Sequence, residues 1–330
     1  MHILILGGTQ FVGKHITEKA IANGHEVTLF NRGKTKSEKI PNVTYLNGDR
    51  DGNLDALKNK KFDVVIDVCG YTPRVVRQSA ELLNENCDHY IFISTISVYD
   101  YKNGEKIDID SPLVQLEDET VEEITAETYG GLKVLCEDVI LDVYPENSTI
   151  IRPGYIVGPD DHTDRFGYWI KRISESDKVL IPENHDQPWQ YIDTRDLAEF
   201  TILLAERKQS GIYNAVGPGE KVTVGSTFEL MKTIFNSDTQ FVEASEKFIE
   251  ENDISVREFP MTTSPKDTAH YNFMEIDIRP SVLAGLKHRP IEETIKDSFV
   301  YIKSLPSDYE YTAGMKKERE EELIKKIITE

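Results

Sequence analysis

Ile3-Leu4-Ile5-Leu6-Gly7-Gly8-Thr9-Gln10-Phe11-Val12-Gly13 is the stretch whose reading decides the fold. A short apolar run stops at paired glycines and gives way to an amphipathic pattern over 12–23, which predicts a buried strand, a tight turn and a helix. Turns of this kind that hold a dinucleotide use a first glycine for the bend and a middle one for close backbone approach to the pyrophosphate. A last one packs helix on strand, and the phosphates sit at the helix N-terminus. Gly7 and Gly13 take the first and last roles. Counted three from each, the middle role falls on Gln10, a departure from the pattern. Either the backbone approaches phosphate less closely there, or Gly8 and Thr9 make the contact. Gly7 to Gly13 are the candidate cofactor-binding residues of the turn.

Outward from this turn, apolar runs and helical patterns alternate. Strands are expected near 2–6, 27–30, 43–46, 62–68, 89–94 and 149–152, and helices near 12–23, 74–86, 127–143 and 195–207, with a further strand and turn at 211–219. Alternation of this sort predicts strand-helix-strand units, hence an α/β, doubly wound parallel sheet covered on both faces. The regularity weakens beyond 160. The expected division is a dinucleotide-binding domain over 1–160 plus 189–216, a smaller C-terminal α+β substrate domain over 161–188 plus 217–310, and a charge-laced helix or tail over 311–330 that is solvated or frayed.

The second strand ends in Asn31-Arg32-Gly33, where an NAD-specific site places a carboxylate for the ribose 2′-hydroxyl. None is present. Arg32 offers instead a guanidinium suited to a 2′-phosphate, with Asn31 beside it, so the expected cofactor is NADP in preference to NAD. Asp49, after the third strand, is a candidate contact to the adenine edge.

Composition removes several function classes. Lys and Arg number 38 against 58 Asp and Glu, a net charge of −20 that repels phosphate backbones and anionic membrane surfaces. Nucleic acid is therefore an unfavoured partner, and a small-molecule substrate the favoured one. The apolar set, 39% of residues, suffices for a globular core. The apolar start breaks off at Gly7, too early for a signal peptide, and the longest nearly uncharged stretch, Tyr90 to Tyr99, is about half the roughly 18 residues a membrane span needs. Cys69, Cys87 and Cys136 fit neither a disulfide framework nor a zinc-ligand spacing. A cytoplasmic chain with reduced thiols is expected. A homodimer is compatible with all of this, and the oligomeric state is not fixed by it.

Tyr129-Gly130-Gly131-Leu132-Lys133 puts a phenol and an ammonium on one helix face. In a chain with 15 Tyr such a spacing arises about once by chance, so the combination carries the information. The strand Ile91-Phe92-Ile93 leads into Ser94-Thr95 at the carboxyl edge of the sheet, where open parallel sheets bind their ligands. A phenol beside an ammonium has its phenolate favoured and can exchange a proton with a substrate oxygen while hydride moves.

These residues together resemble a known family, the short-chain dehydrogenase/reductase superfamily in its extended or atypical branch of NAD-dependent epimerases and dehydratases. The resemblance covers roughly residues 1 to 220. It is carried by the glycine turn, Ser94-Thr95-Ile96-Ser97-Val98-Tyr99, Tyr129 to Lys133 with Glu137 following, Arg152-Pro153-Gly154-Tyr155-Ile156-Val157-Gly158-Pro159, Tyr191-Ile192-Asp193-Thr194-Arg195-Asp196-Leu197 and Gly211-Ile212-Tyr213-Asn214. It implies a Rossmann-type sheet and an oxidoreductase or epimerase working by hydride transfer at a carbinol or carbonyl carbon, with a nucleotide-sugar-like substrate in view. By the same resemblance Thr95 hydrogen-bonds the substrate oxygen, Tyr129 is the acid/base, and Lys133 lowers its pKa and holds the nicotinamide ribose. Pro153 to Ile156 would border the nicotinamide.

Departures narrow what the resemblance implies. Family dehydratases carry an acidic pair where this chain has Ile96 and Ser97, so hexose 4,6-dehydration is disfavoured. The Gly-Gly-Thr turn resembles an atypical subgroup that includes chloroplast RNA-binding members, which keeps a non-catalytic, cofactor-sensing or RNA-associated role as the alternative. A third reading is a scaffold in which Gln10 has abolished dinucleotide binding. Asp160-Asp161-His162-Thr163-Asp164 has a metal-like composition without the spacing of a metal motif and is read as a polar loop, so no metal is expected. Trp169, Trp189 and Tyr191 are read as packing residues before stacking ones. His185 and His270 receive no role.

Overall fold

The computed structural model describes residues 1–34, 39–101, 107–264, 266–267 and 274–329. The chain divides into two units. One comprises Met1–Gly154, Thr194–Val216 and Ile276–Lys287, the other Tyr155–Asp193, Gly217–Glu275 and His288–Glu330. His270 lies outside the described residues.

In the first unit the apolar runs form β1 (His2–Leu6), β2 (Glu26–Asn31), β3 (Val43–Asn47), β4 (Phe62–Asp67), β5 (Cys87–Ile93), β6 (Ser148–Pro153) and β10 (Gly211–Ala215), numbered along the whole chain. They make one parallel sheet in the order β10-β6-β5-β4-β1-β2-β3. The chain winds from β1 out to β3, then starts again on the other side of β1, so the switch point lies between β1 and β4. Leu6 stands opposite Asp67, and Gly7 and Val68 therefore leave the sheet side by side at its carboxyl edge.

Helices α1 (Phe11–Ala22) and α5 (Thr194–Arg207) pack together on one face of the sheet, and α2 (Pro73–Leu83) and α3 (Tyr129–Val143) on the other. Both faces being covered, the central strand β1 is apolar from Ile3 to Leu6, and Ile3, Leu4, Ile5 and Leu6 are fully buried. At about 1.5–3 kcal/mol for each buried aliphatic side chain, such strands supply much of the driving force for this unit.

The return of Ile276–Lys287 to the first unit has a polar cause. The Ser281 hydroxyl donates to the Asn214 carbonyl of β10 at 2.7 Å, and Asn214 Nδ2 donates to the Asp277 carbonyl at 3.2 Å, so this segment satisfies groups of the sheet's edge strand. Sequence periodicity does not register such a connection, and the expected substrate domain wrongly included these residues.

In the second unit, β7 (Tyr155–Val157) pairs in parallel with β9 (Tyr191–Asp193), and β8 (Lys178–Pro182) with β11 (Gln240–Ala244). The β7–β9 pairing takes 155–160 and 189–193 out of the dinucleotide-binding domain in which the sequence reading had put them. Helices α4 (Arg165–Glu175) and α6 (Val224–Phe235) enclose an aromatic core. Trp169 and Trp189 are buried there, their indole N–H groups donating to the carbonyls of Pro260 at 2.8 Å and Met261 at 2.7 Å, so both are packing residues. Helix Lys317–Thr329 corrects the expectation of a solvated or frayed tail: Leu323 and Ile324 are buried, and the fully buried Glu320 accepts from the Leu180 amide at 2.9 Å and pairs with Arg172.

The first turn is held by contact between glycines. A Cβ on Gly13 would lie 2.7 Å from both the Cα and the amide nitrogen of Gly8, backbone atoms that cannot swing aside. The buried Thr17 hydroxyl clamps the same pair, lying 2.7 Å from the Gly13 carbonyl and 3.0 Å from that of Gly8. Gly13→Ala is expected to destabilise the fold by about 1–3 kcal/mol through this overlap. A thermal or urea melt coinciding with that of the parent chain would contradict the packing described.

Candidate active site

At the amino end of α1, Gln10 is extended (φ −136°, ψ 148°) and exposed, and no side chain caps the helix. The position does not require glycine's conformational range, which is why Gln is accommodated. The close packing falls to Gly8 instead, beneath Leu29 and Thr17. The N-terminus of α1, to which Gln10 gives no side-chain cap, adjoins a glycine-walled turn and fits a pyrophosphate, since the helix dipole there favours negative charge. At the β2 tip, Asn31 Oδ1 accepts from the Gly33 amide at 2.9 Å and shapes the turn, while Arg32 is exposed. Asp49 exchanges backbone hydrogen bonds with Asn53, and its carboxylate accepts from the Asp51 amide at 3.2 Å.

Across the switch point, the carboxyl end of β5 leads into Thr95, and α3 carries Tyr129 and Lys133. Thr95 follows β5 and is nearly buried; its Oγ1 accepts from the Ser97 amide at 3.1 Å and donates to Ser97 Oγ at 3.2 Å. The hydroxyl thus has a defined orientation, and the partly exposed Ser97 lies next in line. Tyr129 opens α3 and is partly buried. Directly after it, a Cβ on Gly130 would overlap the Ser97 carbonyl oxygen, so only glycine lets the first turn of α3 press against the Thr95–Ser97 turn. That contact brings the amino end of α3 against the turn that holds Thr95.

Lys133, one helical turn on, is almost completely buried. Its Nζ donates to the carbonyls of Gly70 and Ile93, each at 2.8 Å, and lies 4.1 Å from the centre of the Phe92 ring. Burial lowers its pKa to about 8, against the opposing pull of Cys136, Asp67 and Glu137. Pro153 ends β6 in the first unit, and Ile156 lies in β7 of the second.

Behind these residues runs a buried polar network that the sequence reading passed over as an assembly. Glu137, four residues after Lys133, forms a bidentate pair with Arg152 of β6 at 3.0 and 2.6 Å, both side chains 2% exposed. Ser94 donates to the same carboxylate, Arg152 donates to the Tyr99 hydroxyl at 2.9 Å, and Tyr99 donates to Asn214 Oδ1 at 2.6 Å. On the β4 side, the buried Arg50 pairs with Asp67 through two contacts of 2.7 Å, and Asp67 also receives the Tyr90 hydroxyl and the Cys69 amide. A usable signal was present: an ionised residue inside an otherwise apolar strand, as in Ser148–Pro153 or Phe62–Asp67, implies a buried partner.

In the Asp160 to Asp164 loop, two carboxylates shape the local backbone. Asp161 Oδ1 accepts from the Thr163 amide and hydroxyl, and Asp164 from the Tyr309 hydroxyl and the Thr312 amide. Tyr191 is buried among Phe166 and Trp189.

The family model described as NAD dependent epimerase/dehydratase family matches residues 3–216. The chain is 29% identical over 233 residues to the chloroplast stem-loop binding protein of 41 kDa b of Arabidopsis thaliana, a match covering 65% of this chain and 58% of that relative, so it spans less than two thirds of the relative's length. Two solved structures share its fold at 18% identity. UDP-glucuronic acid 4-epimerase from Bacillus cereus in complex with NAD has a TM-score of 0.66 and is covered over 100% of its length by 95% of this chain. UDP-glucose 4-epimerase from Thermotoga maritima with UDP-glucose has a TM-score of 0.65, with 99% of it covered by 92% of this chain. None of the described helices is long and apolar enough to cross a membrane. With well over half its length matched by the family model, and the glycine turn, the parallel sheet and the tyrosine-lysine helix in the expected places, the chain belongs to the NAD dependent epimerase/dehydratase family.

Proposed function

We propose that the protein is a nicotinamide-dependent epimerase or reductase acting at a carbinol or carbonyl carbon of a small, nucleotide-sugar-like molecule. The observation that supports this reading is the packing of the start of α3 on the turn after β5: Thr95 is oriented in that turn, Gly130 beside Tyr129 lies against its Ser97, and the buried Lys133 follows one helical turn on. The structurally similar epimerases, one solved with NAD and one with UDP-glucose, support the substrate class.

In this reading the nicotinamide, when bound, supplies the hydride acceptor and donor. Gly7 to Gly13 and the α1 N-terminus hold its pyrophosphate. Thr95 hydrogen-bonds the substrate oxygen, the Tyr129 phenolate takes the hydroxyl proton as the carbon is oxidised, the resulting phenol returns it on reduction, and the Lys133 ammonium stabilises the phenolate before the first step and after the second. Dehydration is not part of the proposal: Ile96 is buried and Ser97 carries no carboxylate, so the turn lacks the extra acid and base that elimination needs.

Tyr129→Phe is expected to lower kcat by about 10²–10⁴-fold while leaving NADPH or NADH affinity nearly unchanged. Turnover of UDP-glucose or UDP-glucuronic acid, followed by product analysis, reads this out, and unaltered activity would reject the mechanism. Lys133 is charged below about pH 8 and neutral above it, so kcat/KM should fall as pH rises through about 8. A profile flat to pH 9.5 would remove the charge from the mechanism.

The β2 tip bears on the choice of dinucleotide. With no carboxylate there and Arg32 exposed, NADPH is expected to bind about tenfold more tightly than NADH, a preference that Arg32→Ala abolishes. Tighter binding of NADH would place the chain with the NAD-bound structural relatives instead. The stem-loop binding relative favours a second reading, binding without chemistry, against which stands the net charge of −20. Salt-dependent stem-loop affinity that survives both Tyr129→Phe and Lys133→Ala would support that reading.

A further inference from the structure

Tyr71 was not singled out by sequence, has no part in the mechanism above, and is one of the few large rings left open to solvent in the first unit, at 45% exposure. It follows Val68-Cys69-Gly70, the segment that leaves β4 beside the glycine turn, where Val68 faces Gly7 and Gly13. Its backbone neighbour Gly70 gives its carbonyl to Lys133, and its ring centre lies 5.6 Å from Lys133 Nζ. It is also within electrostatic reach of Tyr129.

The surroundings of Lys133 show what this ring does. Two ammonium protons go to the carbonyls of Gly70 and Ile93, and the fully buried Phe92 covers the sheet side. Of the two rings flanking Nζ, Tyr71 is the one that meets solvent, yet Lys133 itself is only 2% exposed. The charged or titratable groups facing the ammonium are Asp67 and Cys69 from the β4 edge, Arg50, and Cys136 and Glu137 from α3 itself.

We propose that Tyr71 is a positioning residue that seals Lys133 from water and so sets the pH range over which proton transfer by Tyr129 operates. The proposal rests on the roles given to Tyr129 and Lys133 for its catalytic consequence, but not for its structural one. Without the ring, water solvates the ammonium and its charged form persists to higher pH. A phenylalanine ring gives nearly the same cover, so the hydroxyl is dispensable.

The test is a heteronuclear NMR titration of the side-chain nitrogens of lysine in the full chain, with the Lys133 signal assigned by its loss in Lys133→Met. The parent midpoint is expected at about 8. Tyr71→Ala and Tyr71→Ser should raise it by a unit or more toward the ordinary lysine value of about 10.4, and Tyr71→Phe should leave it in place. The basic limb of kcat/KM should move upward in the first two variants and stay in the third. An unmoved midpoint in both small variants would overturn the proposal, as would an equal shift in Tyr71→Phe. Since the titration needs neither substrate nor cofactor, an active Tyr129→Phe would defeat the proposed function while leaving the Lys133 midpoints to decide the role of Tyr71.

Discussion

The buried pair between Glu137 and Arg152 is the constraint on which the rest of the site depends. Two charges with 2% exposure each cannot be separated without stranding one of them, a loss of about 3–5 kcal/mol when a single partner is removed. The pair therefore permits one arrangement of α3 on the sheet. Its further hydrogen bonds spread that restriction: Ser94 ties in the end of β5, Tyr99 the turn after Thr95, and Asn214 the edge strand β10. Because Tyr129, Lys133 and Glu137 recur at four-residue intervals on one helix, fixing Glu137 also fixes the height and rotation of the phenol and the ammonium.

A second buried pair, Arg50 with Asp67, performs the equivalent task across the crevice. Asp67 is the last residue of β4, and its hold on the Cys69 amide defines the path of Val68 to Tyr71. That path presents Val68 to the glycine turn and the Gly70 carbonyl to Lys133. Both sides of the switch point are thus anchored by ion pairs beneath the surface, and the groups left to face a ligand are held from behind. Neither pair is strong evidence of added stability, since apolar residues of like volume often serve as well. What the pairs contribute is a single geometry.

How far the sequence revealed this depends on the kind of signal. The strands of the first unit and helices α1, α2, α3 and α5 follow from apolar periodicity, because each is a local pattern that the tertiary fold does not override. The family resemblance supplied Thr95, Tyr129 and Lys133 as a set, and the glycine contact at Gly130 is what lets the chain bring their segments together. The second unit was less legible. Its short parallel pairs join residues far apart, Tyr155 with Tyr191 and Lys178 with Gln240, and no local period announces such partners. The return of Ile276–Lys287 to the sheet edge and the docking of Lys317–Thr329 through Glu320 likewise rest on a few polar contacts between distant residues, invisible to composition. Charge density in the terminal segment suggested solvent on all sides, whereas one buried carboxylate with two partners and two aliphatic residues turned a face inward.

The overall charge poses a final problem that the site's construction answers. A chain at −20 repels a dinucleotide at long range, yet exposed charges are screened over about 8 Å at physiological ionic strength. In the proposed function, recognition rests on sources of positive potential closer than that. The uncapped α1 N-terminus and the exposed Arg32 meet the condition, and neither depends on the surface average. Lys133 and Arg152 add positive charge beneath the crevice, but Arg152 is neutralised by Glu137, which leaves the Lys133 ammonium, held by neutral carbonyls one helical turn from Tyr129, with its charge not committed to a carboxylate hydrogen bond. An ammonium solvated by backbone dipoles keeps its field available to whatever lies above it, which is why its enclosure, more than any additional basic residue, governs the chemistry open to this edge of the sheet.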